Sequence, residues 1–454
     1  MRPREEPYDS WMPQTAPRQS PNARAIVTSR VTRRARKFPV LFPSPLDVDG
    51  IEGRDLALAH AIDQAVARRW LTLVTVLQAK LDRPWARIEA PIQGALLVGA
   101  AQLLLMERVP DHAVINEAVD WIKPRRAKAA AMINAVLRRV AELRGEKTRP
   151  GLSFPCDALP LHDGRVLELR EPVFDEDPLR RLAQQTSHPP ELLTRWAQRE
   201  GFDRAADLAR HSLVHPPIIV TGPLTGSLNG CEPHEEPGFA VLNGERGSLV
   251  PLLAKHPALR VQDPASAAAV SATASLVPGL IVELCAGKGT QTHQLAEVHP
   301  QAQIIASDAN PRKLAALRET FAGHDRIRIV QPDRLIDHAR QADLVVVDAP
   351  CSNTGVLARR VEARYRCTPD ALASLVDLQR QILVEALRLR GPGGRILYCT
   401  CSLEPQENQQ QIQWLQRWHR ASVHHQAHLL PVGQPGDAAS GYRDGGYWAI
   451  VEPS

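Results

Sequence analysis

Two of the seven cysteines follow apolar, strand-like runs and are flanked by small polar residues. Cys351 lies in the segment Asp348-Ala349-Pro350-Cys351-Ser352, and Cys401 lies in Thr400-Cys401-Ser402. A thiolate is a strong nucleophile, and a carboxylate such as Asp348 can transfer protons beside it. The alternative is a pair of buried structural cysteines, which we would favour for one cysteine but not for two in these contexts. The pattern predicts a site of covalent catalysis.

The runs that precede these cysteines belong to an alternation of strands and helices. Apolar runs cover residues 280–284, 303–307, 327–330, 344–347 and 395–399, and helical stretches separate most of them, notably 292–297, 312–321 and 371–389. Such alternation predicts an α/β Rossmann-like domain with a doubly wound, mostly parallel sheet. Ligands of these sheets bind beyond the carboxyl ends of the strands. If the fourth and fifth strands are neighbours, Cys351, Cys401 and Asp348 meet there.

The first of these strands ends in a turn of the kind that holds a nucleotide. Glu283 stands near the strand end, Gly287 and Gly289 follow it, and Asp308 ends the next strand 21 residues after Gly287. Glycine allows close approach of the backbone, and an acid at this separation suits ribose hydroxyls. An NAD enzyme is one alternative, but the third glycine of its motif is Thr292. S-adenosylmethionine fits better because it has no pyrophosphate.

A methyl donor beside a thiolate and a carboxylate has a specific use. Position 5 of cytosine is too weak a nucleophile to take a methyl group unaided. Addition of a thiolate at C6 makes C5 an enamine-like carbon, and covalent activation of this kind divides one difficult step into two easier ones. A carboxylic group near N3 would stabilise the adduct.

Positive charge is concentrated in two regions of the chain. Residues 1–46 carry a net charge of +6 and residues 121–149 one of +7, whereas the whole chain is only +5. Such patches favour a polyanionic partner, with a solvated face as the equal alternative. Aromatic residues are 4% of the chain, so RNA binding should be mainly electrostatic rather than by stacking.

Four regions are predicted along the chain. Residues 1–46 lack apolar periodicity and are predicted to be a disordered basic tail. Residues 47–148 show apolar positions at three- and four-residue steps, which indicates an all-helical bundle with a basic last helix. Residues 149–260 combine a Pro-rich linker, over about 147–190, with a small α+β subdomain. Residues 261–454 form the catalytic domain.

Several classes of protein are not expected from this sequence. The longest apolar run, residues 95–106, is too short to span a bilayer, and the N-terminus has no secretory apolar core. The cysteines are odd in number and include no paired C-x-x-C, which predicts reduced thiols in the cytoplasm and no metal site. We expect a monomer.

Two motifs resemble the signatures of RNA cytosine-C5 methyltransferases. They are Asp348-Ala349-Pro350-Cys351-Ser352-x-x-Gly355 and Thr400-Cys401-Ser402-x-x-x-x-Glu407-Asn408. Residues 109–119 and 134–139 resemble the NusB-type RNA-binding domain. Residues 261–266 and Asp444-Gly445 match the bacterial small-subunit rRNA enzymes of the RsmB or Sun type, in which the two domains are fused. The resemblance covers about residues 50–452 and implies a cytosine-C5 methyltransferase that acts on 16S rRNA.

The resemblance also implies roles for individual residues. Cys401 would be the nucleophile, Cys351 would assist product release, and Asp348 would contact the cytosine and the donor. The ribose would be held by Asp308 and the adenine by Asp333. The methionine end of S-adenosylmethionine would be held by the turn Cys285, Ala286, Gly287, Lys288, Gly289, Thr290 and Gln291. RNA would be bound by Arg125, Arg126, Arg138, Arg139, Arg359, Arg364 and Arg366.

The donor turn departs from the family pattern Asp-x-Cys-Ala-Ala-Pro-Gly-Gly-Lys-Thr. The chain has Glu283-Leu284-Cys285-Ala286-Gly287-Lys288-Gly289-Thr290-Gln291-Thr292, so the proline and one glycine are missing. Thr290 would crowd the donor if its position required positive φ. This departure motivates a second hypothesis, a weakly active or inactive rRNA-binding assembly factor derived from such an enzyme.

Overall fold

The described residues of this computed structural model are 22–107, 109–148, 154–224, 228–244 and 246–453. They form two compact units. The first unit contains residues 22–36, 44–66 and 80–141, and the second contains residues 37–43, 67–79 and 142–453.

Helices make up the first unit. Apolar side chains spaced three or four residues apart, such as Ile62 and Val66 or Val136 and Val140, are fully buried, as an amphipathic bundle requires. The longest helix bends at Arg69, and its residues from 67 onward belong to the second unit. The helices are α1 (Ala23–Ala35), α2 (Gly53–Gln78), α3 (Ala90–Leu105), α4 (Asp111–Ile122) and α5 (Ala130–Glu142).

Residues 1–46 were predicted to be a disordered tail, but residues 23–35 form helix α1. Residues 1–21 lie outside the described residues. The Asn22 side chain caps α1 by accepting from Ala25 N, and Val27 and Val31, one turn apart, are buried. Arg30 and Arg34 both pair with the Asp63 carboxylate, at 3.0 and 2.9 Å. The prediction is wrong here because these arginines are neutralised by a residue distant in sequence.

The second unit alternates short strands and helices. In chain order its elements are β1 (Arg144–Thr148), β2 (Ala158–Pro160), β3 (Val166–Leu169), α6 (Pro178–Thr186), α7 (Pro190–Glu200), α8 (Phe202–His211), β4 (Ile219–Thr221), β5 (Cys231–Pro233), β6 (Phe239–Leu242), α9 (Leu249–Lys255), β7 (Arg260–Val261), α10 (Pro264–Ser271), β8 (Leu280–Leu284), α11 (Thr290–Val298), β9 (Gln303–Ala306), α12 (Pro311–Thr320), β10 (Ile327–Ile329), β11 (Ala342–Asp348), α13 (Ala363–Arg366), α14 (Pro369–Leu389), β12 (Arg390–Thr400), α15 (Gln409–His419), β13 (Ser422–Leu429) and β14 (Gly446–Glu452).

A seven-stranded sheet positions the predicted site. Its strand order is β10-β9-β8-β11-β12-β14-β13; β8 to β12 are parallel to their neighbours, and β14 and β13 are antiparallel. The predicted doubly wound, mostly parallel fold is therefore confirmed. Strand order reverses between β8 and β11, where such sheets bind ligands. Strands β13 and β14 were not predicted.

Both faces of this sheet are covered by helices. Val345 and Val347 of β11 pack with residues of α14 and α15, whereas Leu344 and Val346 pack with residues of α10, α11 and α12. Alternate residues of β11 are thus buried in two different cores, which explains why the sequence of this strand is continuously apolar.

The predicted Pro-rich linker over residues 147–190 is wrong for its described residues. They include an antiparallel sheet of order β1-β3-β2 and helix α6. Leu159 and Leu167 are paired in this sheet and buried. The prolines misled the prediction because they lie at strand and helix ends, where proline is tolerated. Strands β5, β6, β4 and β7 form a further small sheet.

In the described part of the chain, no helix combines the length and the apolarity that a bilayer span requires. Within those same residues, no group of three or more His, Cys, Asp or Glu side chains could hold a metal ion.

Candidate active site

Pairing of β11 with β12 brings the two predicted cysteines together. Asp348 is opposite Cys399 in the parallel register, so the loops that follow these strands emerge side by side. The sulfur atoms of Cys351 and Cys401, 50 residues apart in sequence, are 3.3 Å from each other. Both thiols are partly exposed, and Cys401 lines a pocket of about 250 Å³.

A buried carboxylate, Glu407, holds both cysteine loops in place. Its oxygens accept from the backbone N–H of Ser352 at 2.9 Å and from the hydroxyls of Ser352 and Ser402. Gln379 of α14 donates to it as well, at 3.0 Å. Burial raises the pKa of Glu407, and these donors oppose the rise. One side chain therefore couples the residue after Cys351 to the residue after Cys401.

Close backbone packing between the loops explains the glycine of the first motif. A Cβ at Gly355 would lie 2.5 Å from the carbonyl oxygen of Gly445 and 3.0 Å from that of Cys401. Gly355 N–H donates to the Cys401 carbonyl at 2.9 Å. Any side chain at this position would separate the loops and displace Cys401.

The thiols of the site differ in their surroundings. The pKa of Cys351 is raised well above its usual value, first because its sulfur is hydrogen-bonded to Cys401 and then by burial. Burial likewise raises the pKa of Cys399, and it raises that of Cys285 to about 12. Cys351, Cys399 and Cys285 are therefore protonated at neutral pH in this state.

Asp348 ends β11 at the rim of the same pocket. Burial raises its pKa to about 6, opposed by a weak hydrogen bond from the Cys399 thiol and by the charge of Lys313. The Cys399 sulfur lies 3.8 Å from Oδ1 of Asp348. A carboxyl group with this pKa exchanges a proton near neutrality, as a general acid or base must.

The two glycines of the turn between β8 and α11 have different surroundings. Gly287 has a φ of 64°, and a Cβ there would meet nothing closer than 4.0 Å. Gly289 has a φ of 89°, and a Cβ there would lie 2.5 Å from the Phe321 ring. Gly287 thus leaves open space beside the turn, which a ligand can occupy, and Gly289 allows the turn to pack.

Thr290 does not crowd the turn in the way its family position suggested. It begins helix α11 and is not among the residues with positive φ. Positive φ falls instead on Cys285, Gly287 and Gly289. The condition under which Thr290 would be strained is therefore absent.

Acidic side chains surround the open side of this turn. Asp308 is buried; Oδ2 accepts from Gly287 N at 2.9 Å, and Oδ1 accepts from Asn310 N at 2.8 Å. A carboxylate has about four acceptor positions, so some remain for ribose hydroxyls. Glu283 is fully buried and accepts from the Thr292 hydroxyl at 2.6 Å. The acceptor positions left on Asp308 fit the ribose hydroxyls of a nucleoside.

The remaining residues predicted for the cofactor lie at the same edge or on the surface. Gln291 of α11 is buried and lines the pocket. Lys288 is exposed at the tip of the turn. Asp333 is exposed in the 3₁₀ helix Pro332–His338 that follows β10.

Two of the three predicted RNA-binding arginines after Gly355 have structural partners instead. Arg359 donates to the carboxylates of Asp263 and Asp444 and to the carbonyl of Pro217. Arg364 is fully buried, and its guanidinium donates to backbone carbonyls. The prediction that Arg364 binds RNA is wrong, because no part of its side chain faces solvent. Arg359 keeps 27% of its side chain exposed and lines the pocket, so its role in RNA binding stays a prediction.

Other arginines remain open to solvent. Arg366 is half-buried with its guanidinium over the Phe42 ring. Arg360, which was not predicted, is exposed and lines the pocket. Its position directly after Arg359 could have indicated it as a further candidate for RNA binding. In the first unit, Arg125, Arg126 and Arg138 are exposed and Arg139 is half-buried.

Comparisons with known proteins place this architecture among methyltransferases. Residues 277–435 match the model of the "16S rRNA methyltransferase RsmB/F" family, and residues 44–142 match the NusB family. Ribosomal RNA small subunit methyltransferase B of Xanthomonas campestris is 30% identical, with 80% of each chain covered. The Vibrio cholerae protein of the same name is 28% identical, with 88% of this chain and 90% of that protein covered.

Solved structures share the fold. The crystal structure of PH0851 superposes with a TM-score of 0.67 at 21% identity, covering 96% of this chain and 99% of that one. A methyltransferase homologue from Pyrococcus horikoshii gives a TM-score of 0.50 at 18% identity, covering 62% of this chain and 100% of that one.

Proposed function

Because this chain belongs to the RsmB/F family of 16S rRNA methyltransferases, we propose that it methylates carbon 5 of a cytosine in small-subunit rRNA through a covalent adduct between Cys401 and C6. The observation that carries the proposal is the pair of thiols, Cys351 and Cys401, with sulfur atoms 3.3 Å apart beside Asp348. A base nitrogen or a ribose oxygen would take a methyl group without a thiol pair. Carbon 5 requires a nucleophile that adds at C6, and a thiol supplies it.

Attack by Cys401 and protonation of N3 belong to one step. The S–C6 bond forms, and the π electrons of C5=C6 move to form C4=C5. The π electrons of N3=C4 move to N3, which takes up a proton. Asp348 suits this transfer because its pKa, raised to about 6 by burial, lets its carboxyl carry a proton near neutral pH. The proton lost by the Cys401 thiol can pass to Asp348, so overall one proton moves from sulfur to N3.

The residues at the ends of β8 and β9 would hold the methyl donor. S-adenosylmethionine supplies an electrophilic methyl group when bound. The turn from Cys285 to Gln291 would wrap its methionine end, with the space beside Gly287 left open for it. Asp308 would accept from the ribose hydroxyls and Asp333 would contact the adenine.

Cys351 is proposed to complete the reaction. The largest cause of its raised pKa is the Cys401 sulfur, and that cause disappears once Cys401 is bonded to C6. Cys351 then becomes more acidic, loses its own proton to solvent, and its thiolate can remove the proton from C5. The C5–H electron pair reforms C5=C6, Cys401 leaves as a thiolate, and N3 releases the proton that it took up in the first step.

Substitution of each cysteine tests this division of roles. In Cys401→Ala, transfer of labelled methyl groups to small-subunit rRNA should fall by more than about a thousandfold, the scale of losing a covalent nucleophile. Cys351→Ala should accumulate an RNA adduct that survives denaturation and migrates as a shifted band. Cys231→Ser, in the small sheet, serves as the matched control and should keep full activity.

Two outcomes would contradict the proposal. Full turnover by Cys401→Ala would exclude the adduct, and bisulfite mapping that finds no 5-methylcytosine in the product would exclude C5 as the target. Donor binding is tested by calorimetry: absence of binding at millimolar S-adenosylmethionine would instead support the assembly-factor hypothesis. The helical conformation of Thr290 supports donor binding.

A further inference from the structure

A third side chain contacts the nucleophile. Oδ1 of Asn353 lies 3.3 Å from the Cys401 sulfur and accepts its S–H. The same residue reaches the other thiol, because its backbone N–H is directed at Cys351 and lowers the pKa of that group. Asn353 also lines the pocket. It is therefore the one residue, among those described here, that bridges both thiols from a single loop position.

The backbone at Asn353 is unusual in a way that serves these contacts. Its φ is 62° and its ψ 25°, the left-handed region that non-glycine residues rarely adopt and that Asn tolerates best. Glycine would satisfy this backbone more easily. A side chain retained at such a position has a use that outweighs the conformational cost.

The orientation of the Asn353 amide is determined by its surroundings. Its Nδ2 donates to the carbonyl oxygen of Cys351 at 2.7 Å. A carbonyl can only accept, so the –NH₂ end must face it, and the oxygen end must face Cys401. The group presented to the nucleophile is therefore an acceptor, which stabilises the S–H form and repels the thiolate.

Building on the proposed function, we propose that Asn353 is a positioning residue that holds the Cys401 thiol at rest and directs its thiolate into the pocket. While Cys401 carries its proton, the amide oxygen keeps the sulfur beside Cys351. On loss of the proton the sulfur is repelled by that oxygen and moves toward the bound base. The C6 attack thus starts from a defined sulfur position.

Three variants test this role by the rate at which Cys401 is alkylated at neutral pH, followed by mass spectrometry of the Cys401 peptide in the full-length protein. Asn353→Gly removes the acceptor without backbone strain and should raise the alkylation rate. Asn353→Asp places a carboxylate at the thiol and should lower it. Arg340→Gly, another residue with positive φ (59°), is the matched control and should match the wild type.

Methyl transfer provides the second readout. Asn353→Gly should lower kcat by about tenfold, because misplacing a reacting atom by even 1 Å is costly, with the KM for RNA unchanged. The other charged or titratable groups near Cys401 are constant across the variants: Asp348, Cys351, Arg359, Arg360, Cys399 and Glu407.

Identical alkylation rates in the wild type, Asn353→Gly and Asn353→Asp would overturn the inference. So would an unchanged kcat in Asn353→Gly. Alkylation requires no methyl transfer, so an inactive wild type would defeat the proposed function while the alkylation rates still decide the role of Asn353.

Discussion

At the scale of residues, the surroundings of a side chain decide its role more than its type does. Arg359, Arg360 and Arg364 lie within six positions, yet Arg364 is fully buried, Arg359 is paired with two carboxylates at the pocket and Arg360 is exposed there. The buried acids differ in the same way. Glu407 is surrounded by donors, whereas Glu283 has one hydroxyl donor and an Oε1 atom without a hydrogen-bond partner.

Glu283 predicts a dependence of stability on pH. Burial raises its pKa to about 8 from an ordinary 4.5, so between these values the folded state binds a proton that the unfolded state has lost. The free energy of unfolding therefore decreases as pH rises from about 5 to 8, by up to a few kcal/mol. In Glu283→Gln this contribution disappears.

Urea denaturation of the donor-free protein at pH 5.5 and pH 8 measures this effect. The wild type should lose more stability over that interval than Glu283→Gln. Parallel losses in the two proteins would show that Glu283 is ionised in the folded state.

At the scale of elements, pairing between distant segments creates the site and stabilises α1. Neither cysteine loop is long, and each is placed by the strand before it and by Glu407 from the segment after β12. Helix α1 approaches α3 closely at Gly94, where a Cβ would collide with the Thr32 hydroxyl oxygen. Its two buried arginines, Arg30 and Arg34, share the carboxylate of Asp63.

Asp63→Ala should destabilise the protein by about 3–5 kcal/mol, because it removes the carboxylate with which the buried Arg30 guanidinium is paired. Glu89→Ala is the matched control. It breaks an ion pair with Arg126 in which both side chains are more than half exposed, and it should cost no more than about 1 kcal/mol. Chemical denaturation compares them, and equal small losses would mean that α1 adds little to the folded state.

At the scale of the whole molecule, the two units divide the charge and the chemistry. The arginines of α5 and of the segment between α4 and α5 lie in the first unit, and all residues of the thiol site and the donor turn lie in the second. We therefore propose that the first unit binds rRNA through phosphates. Such binding is sequence-tolerant and sensitive to salt.

Replacing Arg125, Arg126, Arg138 and Arg139 together by Ala should weaken rRNA binding by about tenfold or more and flatten its salt dependence, since each phosphate contact contributes about 0.7–0.9 to the slope. Filter binding at several salt concentrations measures both quantities. S-adenosylmethionine binding should be unchanged, and Arg204→Ala on α8 is the control. Loss of donor binding in the fourfold variant would contradict this division.

The sequence by itself determined the parts whose signal is local. Apolar periodicity predicted helices α2 to α5 and the five parallel strands, and the motifs around Cys351 and Cys401 predicted the thiol chemistry that we propose. Only the tertiary structure decided which arginines face solvent, that residues 23–35 form a core helix, and that Asn353 meets the nucleophile. The physical reason is that periodicity belongs to neighbouring residues, whereas the burial of a charge and the contact of two side chains depend on partners tens or hundreds of positions away.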